Sequence, residues 1–435
     1  MNGNVAASAT PASSAGGPEG GNQEDGGWGV GRAGTDGRTG APRASGGLKA
    51  CDARLSERYD AALLDLDGVV YLGGKPIPGA ADALADAAAR GMKRAYVTNN
   101  ASRSPNAIAA QLRGMGVPAT AADIVTSAQA AAHLLADRLP AGAPVLVVGG
   151  TGLRLAVRER GLRPVTAAAQ RPLAVVQGFA PDISYGLLAE AALAIRAGAF
   201  YVASNADATL PTPRGLAPGN GSLVQVLVTA TGQQPVVAGK PEPPLHAESV
   251  QRVGAKRPLV VGDRLDTDIE GAVRGGADSL LVLTGVTSPA ELLLAPPAQR
   301  PSYVARDLTG LDASHPEVVR GEGGAFSCGG WTAAPAASRG GVAGTDGVAG
   351  GRDGAAGGGN VAVGGSAAVG GSAAVGGSAA VGAGAAWLSV SGSGAWIDGL
   401  RALCDAAWAA GPPEGGAQDQ RDAADRAVAG LGQPG

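Results

Sequence analysis

Seven short apolar runs recur along the middle of the chain, and this recurrence narrows its possible folds more than any other feature. They are AALLDLD (61–67), RAYVTNN (94–100), PVLVVGG (144–150), LAVVQGF (173–179), FYVASN (200–205), PLVVGD (258–263) and SLLVLTG (279–285). Runs this short and so little interrupted by polar residues suit strands covered on both faces. Between them lie Ala/Leu-rich stretches of helical pattern, such as GAADALADAAARG (79–91), SAQAAAHLLADRL (127–139) and YGLLAEAALAIRAG (185–198). Strands alternating with helices predict an α/β fold with a parallel sheet.

Glycine marks where that fold should stop. Of the 73 glycines, 46 fall outside 58–313. Residues 1–57 are rich in Gly, Ala, Ser and Thr without an apolar period, and are expected to form a disordered leader. Residues 336–386 carry the hexad GGSAAV three times and no aromatic residue, so a flexible low-complexity insert is expected there. Two fragments with globular character flank it and read as one small α/β module, 314–335 plus 387–410, the second half being a strand, a turn and a helix. Residues 411–435 are expected to be a disordered tail.

Several function classes drop out on composition. No Gly-X-Y period excludes collagen, and no apolar run reaches the 18 or so residues that cross a bilayer. The chain begins without a basic region followed by an apolar stretch, so a secretion signal is not expected and a cytoplasmic location is. A net charge of −3 offers no footprint for nucleic acid or an anionic membrane. Cys51, Cys328 and Cys404 are widely spaced and are expected to be free thiols.

Three of the strand-like runs end in polar or acidic residues: Asp65 and Asp67, then Thr98, Asn99 and Asn100, then Asp263, followed by Asp268 in GDRLDTD. Ligands of open α/β sheets sit beyond the carboxyl ends of the strands, so a site should assemble from these ends. Clustered carboxylates resist ionisation unless a cation is present, and hard oxygen ligands with room for a phosphate suit Mg²⁺. Lys240, in VVAGKPEPP, adds a further positive charge. Such a set suits a phosphoryl group, whose transfer depends on positioning and charge stabilisation.

DLDGVVYLGGKPIPGA (65–80), YVTNNASR (96–103), the lysine of GKPEPP (239–244) and GDRLDTDIEGA (262–272) resemble the four motifs of the haloacid dehalogenase superfamily. Their wording is closest to the class IIA, p-nitrophenyl phosphatase-like branch, which SNADATLPTPRGLAPGNGSL (204–223) also resembles. The resemblance implies a Rossmann-like core from 58–103 plus 237–313 and an inserted α/β C2-type cap from 104–236. It implies Asp65 as the nucleophile that forms an aspartyl-phosphate and Asp67 as the general acid and base. It further implies Mg²⁺ held by Asp65, the Asp67 carbonyl and Asp263, with Asp268 in support, and Thr98, Asn99 and Lys240 on the phosphoryl oxygens. The second aspartate of the first motif argues for phosphoryl transfer, since a halide leaving group needs no proton. The expected activity is Mg²⁺-dependent hydrolysis of a small phosphorylated metabolite, glycerol 3-phosphate or another sugar phosphate. The alternative is a non-catalytic phosphometabolite-binding regulator.

Cap positions around Asp182 to Tyr185 and Asp207 to Gly221 are candidates for selectivity. His133 and His246 lie in helical patterns and receive no role. The C-terminal module is similar to a short acetyltransferase-like appendage, and RGEGGA (320–325) fits the R-x-x-G-x-A loop formally, but no strand and helix flank it and no acetyl transfer is expected. A homo-oligomer, with 314–410 as a dimerising or sensing region, is compatible with this reading.

Overall fold

The computed structural model describes residues 47–212, 214–336 and 386–433. The chain divides into two compact units, Met1–Ser288 with Ala295–His315, and Pro289–Leu294 with Pro316–Gly435.

The first unit is built on a parallel sheet of six strands in the order Tyr303–Ala305, Asp278–Val282, Pro258–Gly262, Ala61–Leu64, Lys93–Thr98 and Ile124–Thr126. Ala61–Leu64 is central and wholly buried, with Leu64 opposite Val261 on one side and Tyr96 on the other. Alternation along the strands fills two cores. Leu64, Tyr96, Val261 and Leu280 point into one, while Leu63, Val97 and Val260 point into the other. A sheet covered on both faces explains why its strands read as unbroken apolar runs.

A second parallel sheet has the order Val236–Val237, Phe200–Ala203, Ala174–Gln177, Pro144–Val148 and Arg163–Val165. Val145, Val147 and Val176 share a core with the first sheet. On the opposite face Leu146, Val175 and Tyr201 pack against the helices Tyr185–Arg196 and Asn220–Thr231. An antiparallel hairpin, Thr209–Thr212 with Gly215–Pro218, leads into the second of these helices.

Three expected boundaries need correction. Strand Ile124–Thr126 belongs to the first sheet, so the inserted segment starts later than residue 104. The signal was weak because three residues carry too little pattern to register as a strand. The leader ends before 57. Residues 47–57 are built in, with Cys51 and His315 exchanging backbone hydrogen bonds at 2.8 Å, Leu48 buried, and Lys49 paired with Asp278. Residues 411–435 hold a helix, Ala417–Ala429, in place of a disordered tail. Its buried face is Ala423, Ala424 and Ala427, continued by Leu431, a stripe of small side chains that composition disguises. The leader over 1–46 and most of the 336–386 insert lie outside the described residues.

The second unit carries an antiparallel sheet of Val319–Arg320, Phe326–Cys328, Trp331–Pro335 and Leu388–Gly392. Helix Trp396–Ala410 packs on it and is buried all round from Gly399 to Trp408, and helix Pro289–Leu293 joins it through the Trp408 indole, which donates to the Leu292 carbonyl at 3.1 Å. RGEGGA falls in the turn of a hairpin, between Arg320 and its partner Phe326. The three cysteines are free. Among the described residues, no helix is long and apolar enough to cross a membrane.

Candidate active site

The parallel register brings the polar strand ends to one edge of the first sheet. Asp65 follows Ala61–Leu64 directly, its N–H donating to the Val261 carbonyl at 2.9 Å. Thr98 closes the adjacent strand and Asp263 follows Pro258–Gly262. Lys240 arrives from the segment between Val236–Val237 and helix Pro243–Val253 and is buried. Its ammonium donates to the Asp65 carboxylate, to Asp268 Oδ1 at 2.6 Å and to the Val97 carbonyl at 3.3 Å. Burial works against the Lys240 charge, but Asp268 and Asp65 outweigh it and hold the lysine protonated.

Carboxylate oxygens of Asp65, Asp263 and Asp268 lie within 4.8 Å of one another. Burial pushes Asp65 up to about 8, with Lys240 opposing and Asp268 and Asp263 adding to the rise. Burial and then Asp268 push Asp263 up to about 6, against the Val286 N–H that donates to its Oδ2 at 2.7 Å. Asp263 Oδ1 is buried without a hydrogen-bond partner, whereas Asp268 is occupied by Lys240 and by the Arg264 N–H at 3.2 Å. One ammonium bridges two of the three carboxylates, and the third, Asp263, keeps a buried oxygen without a hydrogen-bond partner. This donor set fits a hard divalent cation held by Asp65 and Asp263.

Two glycines make the cluster sterically possible. Gly68, at φ +86°, would place a Cβ 2.4 Å from Asp263 Oδ2, and Gly262 would place one 2.2 Å from the Asp268 Cβ.

Asp67 stands two residues beyond Asp65 on the wall of a cavity of about 610 Å³, and partial burial raises its carboxyl against the backbone amide of Gly73. Thr98 lines the same cavity and its hydroxyl accepts from the Asn100 N–H at 3.1 Å, which leaves the O–H to donate. The Asn99 side chain is engaged by the protein itself. Its Oδ1 accepts from the Lys240 N–H at 2.8 Å, and its Nδ2 donates to the Lys240 carbonyl at 3.1 Å and to both Asp207 oxygens at 3.1 and 3.3 Å. The carboxamide therefore positions Lys240 and Asp207.

Sequence reasoning assigned no role to Arg264, which lines the cavity beside the carboxylates, or to Val286, whose N–H orients Asp263. The first sits inside GDRLDTD; the second follows the strand Asp278–Val282, whose Thr-Gly exit was the available signal. His133 pairs with Glu248 on helix Pro243–Val253, and His246 is buried, its imidazole pushed down to about 3 by burial and then by Lys240, so that it is neutral at ordinary pH. Both lie outside the carboxylate cluster.

A parallel α/β sheet that gathers carboxylates and a lysine at its carboxyl edge, under a cavity of small-molecule size, defines a hydrolase of the phosphoryl-transfer class. The comparisons with known proteins agree. The haloacid dehalogenase-like hydrolase family matches residues 62–163, and an HAD hydrolase-like family matches residues 237–311. D-glycerol 3-phosphate phosphatase of Mycobacterium tuberculosis is 53% identical over 257 residues, 59% of this chain and 72% of that protein. An acid sugar phosphatase of Staphylococcus saprophyticus is 37% identical over 254 residues, 58% of this chain and 96% of that one. The crystal structure of the M. tuberculosis glycerol phosphate phosphatase in complex with magnesium superposes with a TM-score of 0.59 at 49% identity, covering 64% of this chain and 86% of that one. The chain belongs to the haloacid dehalogenase-like hydrolases, in their class IIA branch, and is a phosphomonoester hydrolase with a Rossmann-like core.

Proposed function

We propose that the protein hydrolyses small phosphate monoesters, glycerol 3-phosphate or another sugar phosphate, in a Mg²⁺-dependent reaction through an aspartyl-phosphate on Asp65. The observation that carries this reading is Lys240 bridging Asp65 and Asp268 beside the orphaned oxygen of Asp263.

In the first step an Asp65 oxygen attacks phosphorus, the ester P–O bond breaks, and Asp67 gives its proton to the departing alkoxide. In the second, water attacks phosphorus, Asp67 takes its proton, and the bond to Asp65 breaks to release inorganic phosphate. The raised carboxyl of Asp67 suits a group that must carry a proton in one step and accept it in the next. The Thr98 hydroxyl receives a phosphoryl oxygen, Asp268 and Asn99 keep Lys240 in place, and the Lys240 charge offsets that of the phosphoryl group and lowers the repulsion around Asp65. Asp65, Asp263 and the Asp67 carbonyl would hold Mg²⁺, which when bound neutralises charge between carboxylate and phosphate.

The second sheet with its hairpin serves as the cap. Thr209, Leu210, Thr212 and Asn220 line the cavity, so this segment restricts the leaving group to small size. The carboxylate of Asp67 weighs against a regulator that only binds, because binding needs no proton donor. The hairpin setting of RGEGGA favours no acetyl transfer in the C-terminal unit, whatever its likeness to an acetyltransferase. Three free cysteines support a reducing, cytoplasmic compartment.

Phosphate release from a panel of small esters with and without Mg²⁺ tests the proposal. The expected outcome is turnover of glycerol 3-phosphate or a sugar phosphate that chelation abolishes; binding of these esters with no phosphate release would overturn it.

A further inference from the structure

Three of the large apolar side chains that the first unit leaves exposed line the one cavity: Leu72 at 54% exposure, Leu210 at 38% and Val286 at 60%. They come from separate segments. Leu72 lies on the hairpin Tyr71–Leu72 with Lys75–Pro76, Leu210 on the hairpin Thr209–Thr212 with Gly215–Pro218, and Val286 in the chain that follows Asp278–Val282. Lys240 and Asp263, which line the same cavity, are only 3% and 1% exposed. The cavity thus has a charged floor and an apolar rim. Phe179, half-buried, is a fourth apolar side chain in its lining. It follows the strand Ala174–Gln177 through Gly178, whose N–H donates to the Val148 carbonyl at 2.8 Å. A Cβ on Gly178 would stand 3.1 Å from the Ala101 Cβ, so this strand end lies against the loop that follows Thr98. Phe179 stands outside every motif that carries the family resemblance. Exposed apolar side chains scattered singly are ordinary, whereas several gathered around a cavity mark a surface that a ligand covers.

We propose that Phe179, Leu72, Leu210 and Val286 form a binding site for the far end of the leaving group, and that the preferred esters are those whose leaving group presents a hydrocarbon or aromatic face past its third carbon. The inference rests on the phosphatase reading above and deepens it. With phosphorus on the floor beside Asp65, the ester oxygen carries the leaving group towards the rim, the open end of the cavity. A volume of about 610 Å³ is of the size that takes drug-sized ligands, so a three-carbon polyol fills only its inner part. Hydroxyl groups at the rim would lose hydration without finding partners on leucine, valine or phenylalanine. The C–H side of a sugar ring, or an aromatic ring, buries apolar area there instead. Such leaving groups stay within the small size that the cap allows.

The test measures kcat/KM for unbranched alkyl phosphates from ethyl to hexyl in the wild type, Phe179→Ala, Leu210→Ser and the double variant. These alkoxides differ little in basicity, so the dependence on chain length reads contact with the rim. Wild-type kcat/KM should rise about threefold for each methylene past propyl. Each single variant should show a smaller increment, and the double variant the smallest. Variants that lower the whole series by one factor and keep the wild-type increment would reveal a structural role alone and overturn the inference. A wild type whose kcat/KM is flat or falls with chain length would overturn it too, since the rim would then only close over a short leaving group. A wild type inactive on every ester, glycerol 3-phosphate included, would instead remove the phosphatase reading, and the inference with it.

Discussion

Lys240 decides the charge balance of the site, because it is buried between two carboxylates and its position is set by a residue on another element. The acids around it could be read from the sequence, since each ends or closely follows an apolar run and a strand end has one place to go in a parallel sheet. Asn99 could not. It sits 108 residues from Asp207 and 141 from Lys240, and no local pattern encodes which of its neighbours its carboxamide will choose. Asp67 carries the most informative single substitution. Asp67→Asn removes the proton shuttle and keeps the nucleophile, so p-nitrophenyl phosphate, whose leaving group needs no proton, should still phosphorylate Asp65. The expected result is a burst of p-nitrophenolate equal to the enzyme, then steady turnover about 10²–10⁴-fold below wild type. Stopped-flow absorbance reads both; a slow rate with no burst would place Asp67 in the first step alone or in structure.

At the scale of elements, helix Pro243–Val253 carries Lys240's neighbour segment and is fastened by Glu248, which is buried and accepts from Arg160 at 2.9 Å and Arg252 at 2.5 Å and pairs with His133. Burial opposes the Glu248 charge, but these partners win and hold its carboxyl below the usual 4.5. A carboxyl depressed in the folded state contributes stability that is complete above about 4.5 and fades as pH falls through the lower folded value. Glu248→Ala should therefore cost about 1–3 kcal/mol near neutrality, and the gap in urea midpoint between wild type and variant should narrow as pH drops below 4.5. A gap that is constant with pH would mean packing, and not the ion pairs, accounts for the cost. The long apolar strands and alanine-leucine helices were legible because their patterns span several residues. Ile124–Thr126 and Ala417–Ala429 were not, the one for brevity and the other because an alanine stripe carries little contrast.

Across the whole molecule, the glycine distribution separated the α/β region from its surroundings, and periodicity within that region was enough to predict a parallel sheet, while the insertion followed from the family resemblance. Where the insertion begins depends on which sheet a three-residue strand joins, a long-range pairing that periodicity does not contain. The same limit applies to helix Pro289–Leu293, which lies in the chain among elements of the first unit and packs with the second. The central claim is that one carboxylate, Asp65, takes the phosphoryl group from a small ester. Phosphate release from D-glycerol 3-phosphate in saturating Mg²⁺ by wild type and by Asp65→Asn, with melting temperatures recorded in parallel, tests it most directly. Sustained turnover by the wild type and a loss of about 10³-fold or more in a variant that melts like the wild type is the predicted result. A folded Asp65→Asn protein within about tenfold of wild-type turnover would contradict it.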